Sequence, residues 1–221
     1  MNDLAIYGCG GHARELLHIV EAINQSRPTW NFVGFLDDDV SRHGGGLAGA
    51  PILGDAAWLA AHPSVQVVAG VGAPPARRRV VTRLRAEADP RFATLVHPEV
   101  VLHRRVRVGV GAVVFPGCRL TTDIELGDHV ALNLGVLVSH DCRVGDFVTV
   151  GPNANLCGNV RVGEGTDVGT GSVVIQGIEI GAWSIIGAGA TVIRDVEQNV
   201  TVVGTPAKII SSRSQGWADE A

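Results

Sequence analysis

Residues Leu120–Cys157 read LTTDIELGDHVALNLGVLVSHDCRVGDFVTVGPNANLC, and every sixth residue counted from Leu120 is leucine or valine. The count runs on in both directions. From Val96 to Val192 all seventeen positions spaced by six are Leu, Ile or Val, and the residue four places after each, from Val100 through Cys118 and Cys142 to Val196, is small or β-branched. Glycine follows the first position eight times. A helix needs a period near 3.6 and a strand a period of 2, so a period of six belongs to neither. It is the pattern of a β-helix of hexapeptide repeats. Each hexad makes one flat side of a prism, with its first residue filling the interior and its fifth, a smaller one, near the corner. Three sides close a coil of eighteen residues, and Val108-Gly109, Leu126-Gly127, Val144-Gly145, Val162-Gly163 and Ile180-Gly181 recur at that spacing. These glycines are expected to relieve tight corner geometry. A solenoid exposes its ends, so the residues before it are expected to cover one of them.

The 221 residues carry a net charge of −4 and few aromatics, with no basic run of the kind that tracks nucleic acid. Arg77-Arg78-Arg79 is the densest basic stretch and reads mainly as a solvated helix start. No eighteen consecutive residues are apolar, so no membrane span is expected. The first residues run straight into a strand, without the zones of a signal peptide. Cys9, Cys118, Cys142 and Cys157 form no CxxC pair and no zinc spacing. The reading is a reduced, cytoplasmic protein, with Cys118 and Cys142 as small apolar fillers of the prism.

Before the hexads, strands alternate with helices, which predicts a small parallel α/β sheet of Rossmann type over residues 1–95, followed by the β-helix and a short tail over 96–221. Leu4–Tyr7 is a strand, Gly8-Cys9-Gly10-Gly11-His12-Ala13 a glycine loop, and Leu16, Leu17, Ile19, Val20 and Ile23 lie at helical spacing. Amides at such a helix start favour an anion such as phosphate. The spacing departs from GxGxxG, because Ala13 stands where the third glycine belongs, and a turn that needs glycine only for its backbone reads equally well. Trp30–Leu36 alternates into a second strand ending in Asp37-Asp38-Asp39, which is either a ribose- or base-binding carboxylate set or a plain acidic turn. Gly44–Gly49 reads as a flexible loop, Asp55 as a helix cap, Val65–Val71 as a buried strand running into Gly70-Val71-Gly72, and Ala76–Ala88 as a helix. Phe92–Val96 gives the last strand, and Ser211–Ala221 a polar, frayed tail.

Taken together, GCGGHARE at 8–15, FLDDD at 35–39, GVG at 70–72 with Arg77 after it, SHDCRVGD at 139–146 within the hexads, and VGTPAK at 203–208 resemble one family. It is the sugar O/N-acyltransferase family of sialic acid O-acetyltransferase and bacillosamine N-acetyltransferase, which includes GDP-perosamine N-acetyltransferase. The resemblance covers nearly the whole chain. It implies a left-handed β-helix that forms a homotrimer, with acetyl-CoA bound in the groove between neighbouring solenoids and no metal. The N-terminal domain would hold a nucleotide-linked amino sugar. The family's catalytic base matches His140, and its acidic neighbour is Asp141. Asn133 and Gly158 match acetyl-CoA contacts, while Thr170 and Ala188 fall on neighbouring contact positions with different side chains. Gly10, Gly11 and His12 match phosphate and sugar contacts and Asp37 and Asp38 the nucleoside contacts. Gly72 and Arg77 of the third loop complete the substrate set. Ala73-Pro74 replaces polar residues in that loop, which leaves uracil and guanine both open.

The frame of eighteen places His140 third in its hexad, pointing outward, with Thr122 one coil before and Gly158 one coil after. An outward histidine is either a solvated side chain or a base near neutrality. With the resemblance it becomes a general base that takes the proton from an attacking 4-amino group, with Asp141 orienting the ring and the Gly158 amide a donor to the thioester oxygen. No outward thiol or base-paired serine offers an acyl-enzyme, so direct transfer in a ternary complex is expected. Two other classes remain as alternatives: a sialic acid O-acetyltransferase, and a non-catalytic nucleotide-sugar-binding scaffold. A γ carbonic anhydrase is disfavoured, because His103, His129 and His140 fall at different places in the coil.

Overall fold

The computed structural model describes residues 1–220, and the chain divides into two compact units. One is Met1–Gly72 with Ala76–Pro98, and the other is Ala73–Pro75 with the chain from Glu99 onward.

In the first unit, β1 (Asn2–Tyr7), β2 (Trp30–Leu36), β3 (Gly46–Leu47), β4 (Ala50–Gly54) and β5 (Gln66–Ala69) form one sheet in the order β3-β4-β2-β1-β5. All pairings are parallel except β3 with β4. The stretch read as a flexible loop at Gly44–Gly49 therefore contains a short antiparallel strand, a local pairing that glycine-rich composition masks. The helices are α1 (Gly11–Ser26), α2 (Ala56–Ala60), with the Asp55 carboxylate accepting from Ala57 N at 2.9 Å, and α3 (Pro74–Glu87). The third helix starts two residues earlier than expected, because proline suits the first helical position. Leu4, Ile6, Leu16, Ile19, Phe35, Val67, Val68 and Leu84 are fully buried and form the core. The chain leaves β1 toward β2 on one side and returns to β5 on the other, so the carboxyl ends of β1 and β5 flank the switch point where open α/β sheets bind ligands. Close helix packing there explains the missing third glycine: a Cβ on Gly70 would stand 2.8 Å from the Ala13 Cβ, so the pair Ala13 and Gly70 brings α1 against the sheet.

The second unit is a left-handed parallel β-helix. Two-residue strands stack in register eighteen residues apart, as in Val138↔Leu156, Val144↔Val162 and Val150↔Val168. They make three faces. First-position residues from Val114 to Val192 are buried, and so are the fifth positions from Ala112 to Val196, Cys118 and Cys142 among them. Two different glycine requirements operate. Every fourth position from Gly111 to Gly189 has a left-handed backbone, φ between 55° and 77°, and turns the corner. Glycine, Asp and Asn fill most of these positions, as their tolerance of this conformation predicts. The second-position glycines have ordinary φ, and a Cβ on Gly145, Gly163 or Gly169 would lie 2.5–2.8 Å from backbone atoms of the next coil. They permit close stacking and do not turn corners, which corrects the role expected from sequence.

The chain closes with Val200–Val203 in the third face and an antiparallel strand, Lys208–Ser212, paired to it. The described part of the segment expected to fray, residues 211–220, is structured instead, with Ala221 outside the described residues: Arg213 N donates to Asn199 O at 2.8 Å, and the Arg213 guanidinium lies 4.4 Å from the Trp217 ring centre. No helix among the described residues is long and apolar enough to cross a membrane.

Candidate functional site

The predicted site residues fall around three places, one in the first unit and two on separate corners of the β-helix. In the first, a cleft of about 410 Å³ opens at the carboxyl ends of β1, β2 and β5 and is lined by Gly10, Gly11, His12, Asp37, Asp38 and Gly72, together with Tyr7, Gly8 and Cys9. Gly10 caps α1 without a side chain, so the first amides of the helix face a cleft with no side-chain oxygen from the cap in the way. His12 is mostly buried. Loss of hydration, followed by repulsion from the Arg77 guanidinium, pulls its pKa down to about 4, so the imidazole is neutral at neutral pH. Burial and then the Asp37 carboxylate push the Cys9 thiol up to about 11, which keeps it protonated.

Arg77 is only 2% exposed and does not line the cleft. Its Nη1 donates to the carbonyls of Val71 at 3.0 Å and Gly72 at 2.7 Å, so it holds the third loop in shape and sets a positive charge beneath it. Asp37 is tied into its own turn: Oδ1 accepts from Asp39 N at 3.0 Å, and its carbonyl oxygen is 2.8 Å from His43 Nε2. Asp38 is held differently, by Tyr7 and by Arg83 of α3, two residues that sequence patterns did not single out. Tyr7 could have been read as the polar end of a buried strand, whereas nothing in the pattern marks Arg83.

The second place is one corner of the prism. There the ladder runs from Asp141 N to Thr122 O at 3.2 Å, from Asn159 N to His140 O at 2.8 Å and from Gly177 N to Gly158 O at 2.9 Å. His140 projects outward, and its Nδ1 lies 2.8 Å from Asp141 Oδ2, with both side chains about 60% exposed, at 62% and 60%. Its ring lies over Gly158, where a Cβ would come within 2.6 Å of Cε1 and Nε2. Asp141 has φ 62°, so it both turns the corner and carries the carboxylate.

Asn133, Thr170 and Ala188 lie on a different corner. Gly189 N donates to Thr170 O in that corner's ladder, and Asn133 Nδ2 donates to Val150 O at 2.9 Å. A whole face, with strands such as Leu137–Val138 and Asn155–Leu156, separates this corner from His140. One copy of the β-helix therefore does not bring the two sets together. Among the described residues no three His, Cys, Asp or Glu side chains converge as metal ligands, and His129 is fully buried in a stack with Phe147.

Residues 3–84 match the PglD N-terminal domain and residues 141–176 the bacterial transferase hexapeptide (six repeats). A search of curated proteins finds no match. Among solved structures, a histidine mutant of perosamine N-acetyltransferase from Caulobacter crescentus, in complex with CoA and GDP-perosamine, is 30% identical, with 96% of this chain and 98% of that chain covered and a TM-score of 0.84. The acetyltransferase domain of PglB from Neisseria gonorrhoeae, in complex with acetyl coenzyme A, is 31% identical over 95% of this chain and 100% of that one, with a TM-score of 0.86. WeeI from Acinetobacter baumannii is 30% identical over 95% and 100%, with a TM-score of 0.85. With the fold, the corner histidine and this likeness along nearly its whole length, the chain belongs to the family of hexapeptide-repeat acetyltransferases that carry a PglD-type N-terminal domain.

Proposed function

We propose that this chain transfers an acetyl group from acetyl-CoA to the 4-amino group of a nucleotide-linked 4-amino-4,6-dideoxy sugar, with His140 as general base. The observation that carries the reading is the His140–Asp141 pair on an outward corner. An Nδ1–H donated to Asp141 fixes the tautomer and leaves Nε2 as the basic nitrogen. An amine attacking a thioester becomes cationic, and Nε2 takes its proton, with Asp141 stabilising the imidazolium. The Gly158 amide is suited to the developing oxyanion. On another corner the equivalent amides of Val110 and Asp128 are taken by the carboxylates of Asp128 and Asp146, each at 2.8 Å, whereas among the described residues none takes the Gly158 N–H.

Asn133, Thr170 and Ala188, the residues proposed for acetyl-CoA, suit a ligand lying along an outer corner. Their separation from His140 supports a homotrimer in which one copy's corner faces its neighbour's, and sedimentation would show it. In the N-terminal cleft the α1 amides with Gly10, Gly11 and His12 are proposed for the diphosphate and sugar, and Asp37 and Asp38 for the nucleoside. Gly72 shapes the rim and Arg77 supports it from below.

The test is a screen of UDP- and GDP-linked 4-amino sugars with acetyl-CoA, read as a mass gain of one acetyl group. Acetylation of sialic acid in their place would move the reading to an O-acetyltransferase, and no turnover on any acceptor would overturn it in favour of a binding scaffold.

A further inference from the structure

The cleft contains one arrangement that none of its motifs explains. Tyr7 donates its phenolic O–H to Oδ1 of Asp38. Arg83 donates Nη2 to the same carboxylate oxygen at 2.5 Å and to the Tyr7 hydroxyl at 2.6 Å, and its guanidinium lies 5.6 Å from the centre of the Tyr7 ring. The three residues come from the end of β1, the turn after β2 and the third turn of α3, so the arrangement is tertiary and not a local turn. Burial and the Asp38 contact together push the Tyr7 phenol well above its ordinary range, so it stays a donor.

Asp38 needs such a grip. It stands in a run of three carboxylates whose mutual repulsion opposes any fixed arrangement, and its side chain is about half exposed, at 48%. Left alone, it would exchange among rotamers and oppose any further negative charge entering the cleft. Held by Oδ1, it keeps Oδ2, which among the described residues accepts no hydrogen bond, as an acceptor of fixed direction at the cleft wall. Arg83 itself does not line the cleft.

We propose that Arg83 is a positioning residue for nucleotide recognition, acting through Asp38: it fixes the carboxylate that accepts a hydroxyl or ring N–H of the nucleoside and offsets that carboxylate's charge. The inference rests on the nucleotide-sugar reading of this cleft. A donor-rich edge is the chemistry such an acceptor selects, which a ribose diol, the N1–H and N2–H of guanine or the N3–H of uracil supplies.

The test is calorimetric titration of the full chain with UDP and with GDP, for the wild type, Arg83→Ala, Arg83→Lys, Asp38→Asn and the Arg83→Ala/Asp38→Asn double variant. Removing a hydrogen bond to a charged group predicts about tenfold weaker binding of the preferred nucleotide by Arg83→Ala. Arg83→Lys recovers most of the loss, and Arg83→Ala weakens nothing further in the Asp38→Asn background. The affinity for CoA, titrated in parallel, stays constant across the series. Wild-type affinity in Arg83→Ala overturns the inference alone. So does an equal loss in the Asp38→Asn background, which would mean that Arg83 touches the nucleotide directly, and so does a loss of CoA affinity, which would mean that it only supports the fold. If the wild type binds neither UDP nor GDP, the nucleotide-sugar reading fails and takes the inference with it.

Discussion

The imidazole of His140 lies over the bare backbone of Gly158, one coil on, so closely that a Cβ there would sit 2.6 Å from both Cε1 and Nε2. Gly158 has an ordinary φ, so alanine is compatible with its backbone, and the exposed ring has room to move aside. Gly158→Ala should therefore fold normally yet displace the base. A shift of about 1 Å in a reacting group can lower the rate by roughly 10²-fold. Release of free CoA measured against unfolding temperature checks this, and a fully active Gly158→Ala would mean that the ring's seat is irrelevant to turnover.

His140→Asn and His140→Ala should lose most of kcat, about 10²–10⁴-fold for a general base, while assembly and nucleotide affinity persist. Asp141 is subtler, because it serves the backbone as well as the ring. At φ 62° asparagine is tolerated and alanine is strained by roughly 1–2 kcal/mol. Asp141→Asn should keep the unfolding temperature and lose rate, whereas Asp141→Ala should lose both. Equal stability of the two variants would remove the structural half of this account.

The two glycine roles of the β-helix separate cleanly at Gly169 and Gly171. A Cβ on Gly169 would stand 2.5 Å from Ile186 O and 2.6 Å from Ala188 N, backbone atoms that cannot yield without parting the coils. Gly171 has φ +65° but open space around it. Gly169→Ala should cost about 1–3 kcal/mol or more as overpacking, and Gly171→Asn less than about 1 kcal/mol, since Asn153 and Asn159 already occupy the same conformation. Thermal unfolding of the two variants side by side decides the point, and the reverse order would sink the distinction.

The β-helix was legible because its interior takes one residue of fixed type from each hexad, so a count of six survives any variation on the surface. The corner rule was not, because the residues that turn corners include His129, Phe147 and Trp183 as well as Gly, Asp and Asn, and no composition search unites them. Arg77 shows a similar limit. In sequence it looks like Arg78 and Arg79, yet the fold buries it under the third loop and leaves Arg79 exposed. Periodicity could say that His140 points outward; it could not say that Asp141 meets its Nδ1, which depends on the backbone and rotamers of the corner, or that Gly158 lies beneath the ring, which depends on the coil rise. The Tyr7–Asp38–Arg83 contact joins residues 31 and 45 positions apart, beyond any local pattern.

His12 makes the first unit sensitive to acid. Its pKa is 6.5 in an unfolded chain and about 4 in the fold, where burial and then Arg77 disfavour the cation. Between those values the unfolded state binds more protons than the native one, so stability falls as pH falls from about 6.5 toward 4 and is unaffected by this group above 6.5. A shift of this size corresponds to roughly 3 kcal/mol over the whole window. His12→Gln removes the titrating group and should flatten that part of the profile. Unfolding free energies of wild type and His12→Gln, measured in urea from pH 7 down to pH 4.5, should diverge steadily as the acid is added. Parallel curves would show that His12 is protonated in the folded protein at the same pH as in the unfolded chain, and that the charge beneath the third loop does not reach it.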